Sequence, residues 1–198
     1  MRSPPAKICL KSRPLDPTQY RDDTGTVMPW FTRPFLDVLQ TWDISTWSIA
    51  EWGTGYSTLW FIRTCAQLTS IEHNPVWFDA VTAYLKEHQI AHSDYRLASA
   101  LFKPGPERES QVDYINALDN SAKKYDCIII DGMHRNACAK KALDHIKQGG
   151  IIILDNADQQ SIGISSQPTF QLLKKYKHYS YAQPGHVDWK TDYWIISE

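Results

Sequence analysis

The chain has 198 residues, 42% of them hydrophobic and 22% charged, with a formal net charge of −1 at pH 7. That length suits one domain with a full core, and the composition is that of a globular protein rather than a disordered or fibrous one. The near-neutral balance excludes a global pull toward nucleic acid or an anionic membrane, and no apolar run approaches the roughly 20 residues that span a bilayer.

Residues 1–28 are rich in Pro, Arg and Asp with little periodicity, and read as an irregular arm or lid ahead of a single domain over 29–198. The start, Met1-Arg2-Ser3-Pro4-Pro5, lacks the apolar core of a signal peptide. Cys9, Cys65, Cys127 and Cys138 form no Cys-x-x-Cys pair, so the expectation is reduced thiols in a cytoplasmic protein. Phe35, Leu36, Val38 and Leu39 give Pro34 to Trp42 an amphipathic helical pattern. A first strand is expected from Ser48 to Glu51, a helix from Ser57 to Cys65, and a second strand from Leu68 to Glu72. Pro75 suits the first turn of a helix that runs to Gln89. Tyr95 to Ala98 reads as a third strand, 103–110 as a polar loop, and Val112 to Lys123 as a helix. Cys127 to Ile130, a short continuous apolar run, is typical of a buried parallel strand. A helix from Asn136 to Lys147, ended by Gly149-Gly150, leads to a further buried strand from Ile151 to Leu154. Then come a helix from Thr169 to Tyr176, a strand around His178 to Ala182, and the run Tyr193 to Ile196. The last two, joined by a Pro/Gly loop, suit an antiparallel edge that could also pair between the subunits of a homo-oligomer. The alternation of strands and helices predicts an α/β fold: a Rossmann-like, doubly wound, mostly parallel sheet. Most of the eight tryptophans are expected in the core, with Trp30 and Trp52 nearest the site described next.

The densest signal is Ala50-Glu51-Trp52-Gly53-Thr54-Gly55-Tyr56-Ser57. A carboxylate ends a strand, two glycines turn the chain without a Cβ in the way, and a new helix offers free N–H groups. Glu72 ends the next strand, where a doubly wound sheet holds a ribose diol. The third glycine of the dinucleotide fingerprint is missing, and Glu51 would repel a pyrophosphate by roughly 1 kcal/mol or more at short range. An acid there favours an ammonium instead. S-adenosyl-L-methionine carries an ammonium and a nucleoside. A nicotinamide-dependent oxidoreductase is disfavoured on the same grounds, and a module that binds this cofactor without turnover is the other alternative.

Taken in order and spacing, these residues resemble a class I S-adenosylmethionine-dependent methyltransferase, in particular the small O-methyltransferases. The resemblance rests on Glu51-x-Gly53-x-Gly55, Ile71-Glu72-His73-Asn74-Pro75, Tyr125 to His134, and Gly149-Gly150-x4-Asp155-Asn156. It implies that Glu51, Gly53, Gly55 and Ser57 hold the methionine portion and that Glu72 takes the ribose hydroxyls. His73, Ser99 and Ala100 would flank adenine, with Asp131 beside the cofactor. It also implies Asp131, Asp155 and Asn156 as the Mg²⁺ ligands of cation-dependent members, three oxygens suited to a hard octahedral ion. This chain departs from those members in a glycine loop shorter by about two residues and in Gly132-Met133-His134 after Asp131. His134, just past the fourth strand, is the candidate general base, and Asp131 is the other catalytic candidate. The expected acceptor is an oxygen of a small molecule.

Overall fold

A computed structural model of the protein describes residues 21–101, 112–119, 122–157, 165–186 and 189–197. Seven strands form one sheet: β1 Ser48–Trp52, β2 Gln67–Glu72, β3 Tyr95–Leu97, β4 Tyr125–Ile130, β5 Ile146–Asp155, β6 Lys177–Ala182 and β7 Lys190–Ile195. Their spatial order is β3-β2-β1-β4-β5-β7-β6. The first five run parallel, and β7 is antiparallel to both β5 and β6. The expected antiparallel edge is present, with β7 inserted inside it and β6 outermost. Chain order reverses between β1 and β4, and a ligand crevice is expected at the carboxyl ends of those two strands.

Five helices accompany the sheet among the described residues: α1 Arg33–Leu39, α2 Tyr56–Thr64, α3 Pro75–Glu87, α4 Arg135–Ala142 and α5 Gln167–Leu173. Ile128, Ile129 and Ile130 are all fully buried because both faces of β4 are covered. On one face, Ile49, Cys127, Ile129 and Ile153 pack with Phe35, Leu36 and Leu39 of α1 and Phe61 of α2. On the other, Trp52, Ile128, Ile130, Ile152 and Leu154 pack with Cys138, Ala139 and Ala142 of α4 and Leu173 of α5. Val81 and Leu85 of α3 close on Tyr56 and Leu59 of α2. The start of α3 is set locally: Asn74 accepts from the Val76 and Trp77 amides at 3.0 and 3.3 Å, with Pro75 in the first turn.

Three expected elements differ. Residues 113–119 form turns instead of the middle of a helix over Val112–Lys123. Long-range partners take the carbonyls a helix would need: Trp52 Nε1 donates to Tyr114 O at 2.8 Å and Arg96 to Ala117 O. Helix α4 stops at Ala142, and β5 already begins at Ile146. Gly149 and Gly150 therefore cap nothing. They sit inside β5, where its register against β4 shifts, Gly149 at φ +79° and Gly150 where a Cβ would come within 2.9 Å of the Lys147 carbonyl. Helix α5 spans Gln167–Leu173 rather than Thr169–Tyr176. The loop at 103–110 and Cys9 lie outside the described residues. Val27 and Met28, at the end of the arm, are buried, and Arg21 bridges to Val27. No helix of the described residues is long and apolar enough to cross a membrane.

Candidate functional site

The carboxyl ends of β1, β2, β4 and β5 bring together Glu51, Gly53, Glu72, Asp131, His134 and Asp155. Glu51 is fully buried on β1. Its carboxylate accepts from three hydroxyls: Ser57 at 2.9 Å, Thr58 at 2.6 Å and Ser70 at 2.6 Å. Burial pushes its pKa up to about 7 against those hydrogen bonds. Ser57, expected to assist the methionine portion, spends its hydroxyl on Glu51. Thr58 at the third position of α2 also accepts from the Gly55 amide at 3.0 Å, closing the helix start.

Glu72 ends β2, nearly as buried. One oxygen accepts from Thr54 N and Oγ1 at 3.0 and 2.8 Å; the other accepts from the His73 and Asn74 amides at 2.9 and 2.8 Å. Burial pushes this carboxyl up too, but the bonds from His73, Asn74 and Thr54 outweigh it and hold the group below the ordinary range. Glu72 thus ties the glycine turn to β2. His73 Nδ1 lies 3.1 Å from the same carboxylate.

The glycines are needed because two turns press together. Gly53 has φ +91°, and a Cβ on it would come within 2.7 Å of Gly132 N and 2.8 Å of Asp131 C. Gly55, at φ +155°, faces the Trp77 indole, which donates to Thr54 O. Trp52 is buried in the core, while Trp30 stands partly exposed with its ring edge-on to Tyr56.

Arg135, which the sequence did not single out, clamps the ends of β4 and β5. It donates to Gly132 O at 2.9 Å, Asp131 O at 3.0 Å and Asp131 Oδ1 at 3.1 Å, and also to Asp155 O. Asp155 is buried and accepts from Thr191 Oγ1 at 2.6 Å. Burial and then the Asp131 charge push its pKa up. Asn156 stands next to it in a left-handed turn at φ 46°. These residues do not fit a divalent ion. A guanidinium already supplies positive charge at Asp131 and engages the Asp155 carbonyl. Among the described residues no three His, Cys, Asp or Glu gather as a metal site.

His134 begins α4 in a left-handed conformation, φ 51°. Its Nε2 is 2.7 Å from the Ala100 carbonyl. A carbonyl only accepts, so Nε2 carries a proton. The bond joins the two predicted flanks of the crevice, the end of β4 and the segment after β3. Ser99, one residue earlier, accepts at its carbonyl from Tyr114 N at 3.0 Å. Tyr114, also missed by the sequence reading, is fully buried at the junction of the two glycine turns, and its hydroxyl has no hydrogen-bond partner among the described residues. An orphaned buried hydroxyl against two side-chain-free turns fits a site that a ligand completes.

No family model and no curated protein matches the chain. Solved structures do. An O-methyltransferase from Bacillus cereus in complex with SAH superposes with a TM-score of 0.60 at 18% identity, covering 87% of this chain and 86% of the other. This chain has the fold of the methyltransferases. TomG, an O-methyltransferase of Streptomyces achromogenes in complex with SAM, gives 0.56 at 17% identity, with 76% and 73% covered. An rRNA methylase from Streptococcus thermophilus gives 0.61 at 10% identity, covering 84% of this chain and 98% of the other.

Proposed function

We propose that the protein is an S-adenosylmethionine-dependent methyltransferase acting on an oxygen of a small molecule. One observation carries the reading: the turn Glu51 to Gly55 lies at the switch point of a β3-β2-β1-β4-β5-β7-β6 sheet, with a second acid, Glu72, ending the adjacent strand. Neighbours of this fold include O-methyltransferases whose structures hold SAM or SAH. The net charge of −1 favours a small acceptor over the RNA of other neighbours.

Glu72, His73, Ser99, Ala100 and the glycine turn would hold the cofactor, with Asp131 facing its amino group. The cofactor supplies an activated methyl on a sulfonium with an excellent leaving group. The chain's own work is to align the acceptor and take its proton. His134 stands just past the end of β4 with its Nε2 on the Ala100 carbonyl, and its imidazole is the base of this scheme. No metal enters this scheme.

Calorimetry with S-adenosylhomocysteine tests the cofactor assignment, with NAD as control. Binding of the first and not the second is expected, and tight NAD binding alone would sink the reading. Where a hydroxylated acceptor is turned over, His134→Ala should slow methyl transfer by roughly 10²–10⁴-fold at unchanged cofactor affinity. Near-normal turnover would remove His134 from the reaction.

A further inference from the structure

Tyr114 lies against the carboxyl ends of β1, β2 and β4. Its backbone is held at both ends, N–H to the Ser99 carbonyl at 3.0 Å and carbonyl to Trp52 Nε1 at 2.8 Å. The ring meets His73 edge-on, centroids 5.4 Å apart, at the end of β2. The hydroxyl reaches the ends of β1 and β4, where a Cβ on Gly132 would collide with it and Gly53 abuts the same point. The side chain therefore spans the strand ends that the cofactor reading assigns to ribose and methionine. Among the described residues its hydroxyl has no partner, although the group is wholly withdrawn from solvent. Such a group is costly, and native chains keep one chiefly where something else completes it. Tyr95 offers the contrast: its hydroxyl is already paired with Thr54 Oγ1 at 3.0 Å.

We propose that Tyr114 is a cofactor-binding residue whose hydroxyl donates to the carboxylate of the methionine portion of bound S-adenosylmethionine, a bond made only in the complex. This rests on the cofactor reading above. The methionine portion carries two polar groups. Its ammonium only donates and is drawn to Asp131; its carboxylate only accepts and needs a donor. Arg135 is committed to the backbone at Gly132, Asp131 and Asp155, whereas the Tyr114 phenol is a side-chain donor with no partner among the described residues. Burial holds the Tyr114 phenol well above its ordinary range, so it stays a donor at neutral pH. Its hydroxyl abuts the side-chain-free turns of Gly53 and Gly132 at the carboxyl ends of β1 and β4, where the methionine portion would lie.

Tyr114→Phe keeps the ring and removes the hydroxyl. Calorimetry should show S-adenosylhomocysteine bound about tenfold or more weakly by the variant, the scale of a hydrogen bond to a charged group. 5′-Methylthioadenosine, which lacks the amino-acid portion, should bind wild type and variant alike. The ligand-free variant should melt no lower than wild type, and up to a few degrees higher, because an unpaired buried group has gone. Equal S-adenosylhomocysteine affinity in the two proteins would overturn the proposal. So would an equal loss with both ligands, or a ligand-free variant melting several degrees lower, which would mean the hydroxyl is paired within the free chain. A wild-type protein that binds neither ligand defeats the cofactor reading itself, and Tyr114 with it.

Discussion

Glu51 is a buried acid with three hydroxyl donors and no cation among its hydrogen-bond partners, and its titration should be visible in the stability of the whole protein. Burial raises its pKa in the folded chain to about 7, against an ordinary 4.5. Between those values the folded state holds a proton that the unfolded chain has released. The stabilisation is therefore full below about pH 4.5 and is lost as pH rises through about 7. That difference, at about 1.4 kcal/mol per pH unit, amounts to about 3 kcal/mol, most of it falling between pH 5 and 8. Glu51→Gln keeps the shape and stays neutral, and hydroxyls at Ser57, Thr58 and Ser70 can donate to its carbonyl or accept from its amide.

Urea unfolding followed by tryptophan fluorescence at pH 5, 6, 7 and 8 gives the free energy of each protein. The variant's stability minus the wild type's should rise by about 2–3 kcal/mol across that range, because only the wild type carries the ionising carboxyl. Taking the difference cancels groups common to both. His92, which touches Ser70 at 2.9 Å and whose pKa burial lowers from 6.5 to about 4, changes stability between those values in both proteins alike, so it too cancels in the difference. Parallel curves from pH 5 to 8 would refute the argument. They would mean that water reaches Glu51 or that the hydroxyls hold it ionised throughout.

Gly53→Ala forces a Cβ to within 2.7 Å of Gly132 N at a φ of +91°, so it should cost about 2 kcal/mol or more and lower the urea midpoint. A wild-type midpoint would mean that the two turns part freely. Arg135→Met removes donors to three carbonyls and to Asp131 while filling similar volume; the loss should be about 2–4 kcal/mol, read as a fall in melting temperature of several degrees. An unchanged melt would show that water replaces the guanidinium at those carbonyls.

How far the chain could be understood from its residues differs between fold and site, for a physical reason. The strand run Ile128 to Ile130 and the helix start at Asn74-Pro75 were legible because burial on both faces and a local cap write themselves into neighbouring positions. The turns at 113–119 were not, since Trp52 and Arg96 decide where those carbonyls bond, and they stand 62 and 21 residues away from their partners. The expected catalytic edge was legible as acids at strand ends, but not the electrostatic fate of those acids. Glu51 and Glu72 are the same residue type, each at the end of a parallel strand and each almost fully buried. Yet burial prevails at Glu51, and hydrogen bonding at Glu72. The difference lies in the donors. Glu51 receives only hydroxyls, which can turn away or accept in their own right. Glu72 has the His73 imidazole 3.1 Å away and receives three backbone N–H groups whose direction the turns at Thr54 and His73-Asn74 fix, with one hydroxyl. Fixed dipoles stabilise a negative charge more than mobile ones do, because no rearrangement is needed to meet it. The glycine turn thus delivers Thr54 to Glu72 and leaves Glu51 sealed beneath, so the two acids act differently: one holds its charge at the crevice, the other takes up a proton in the core.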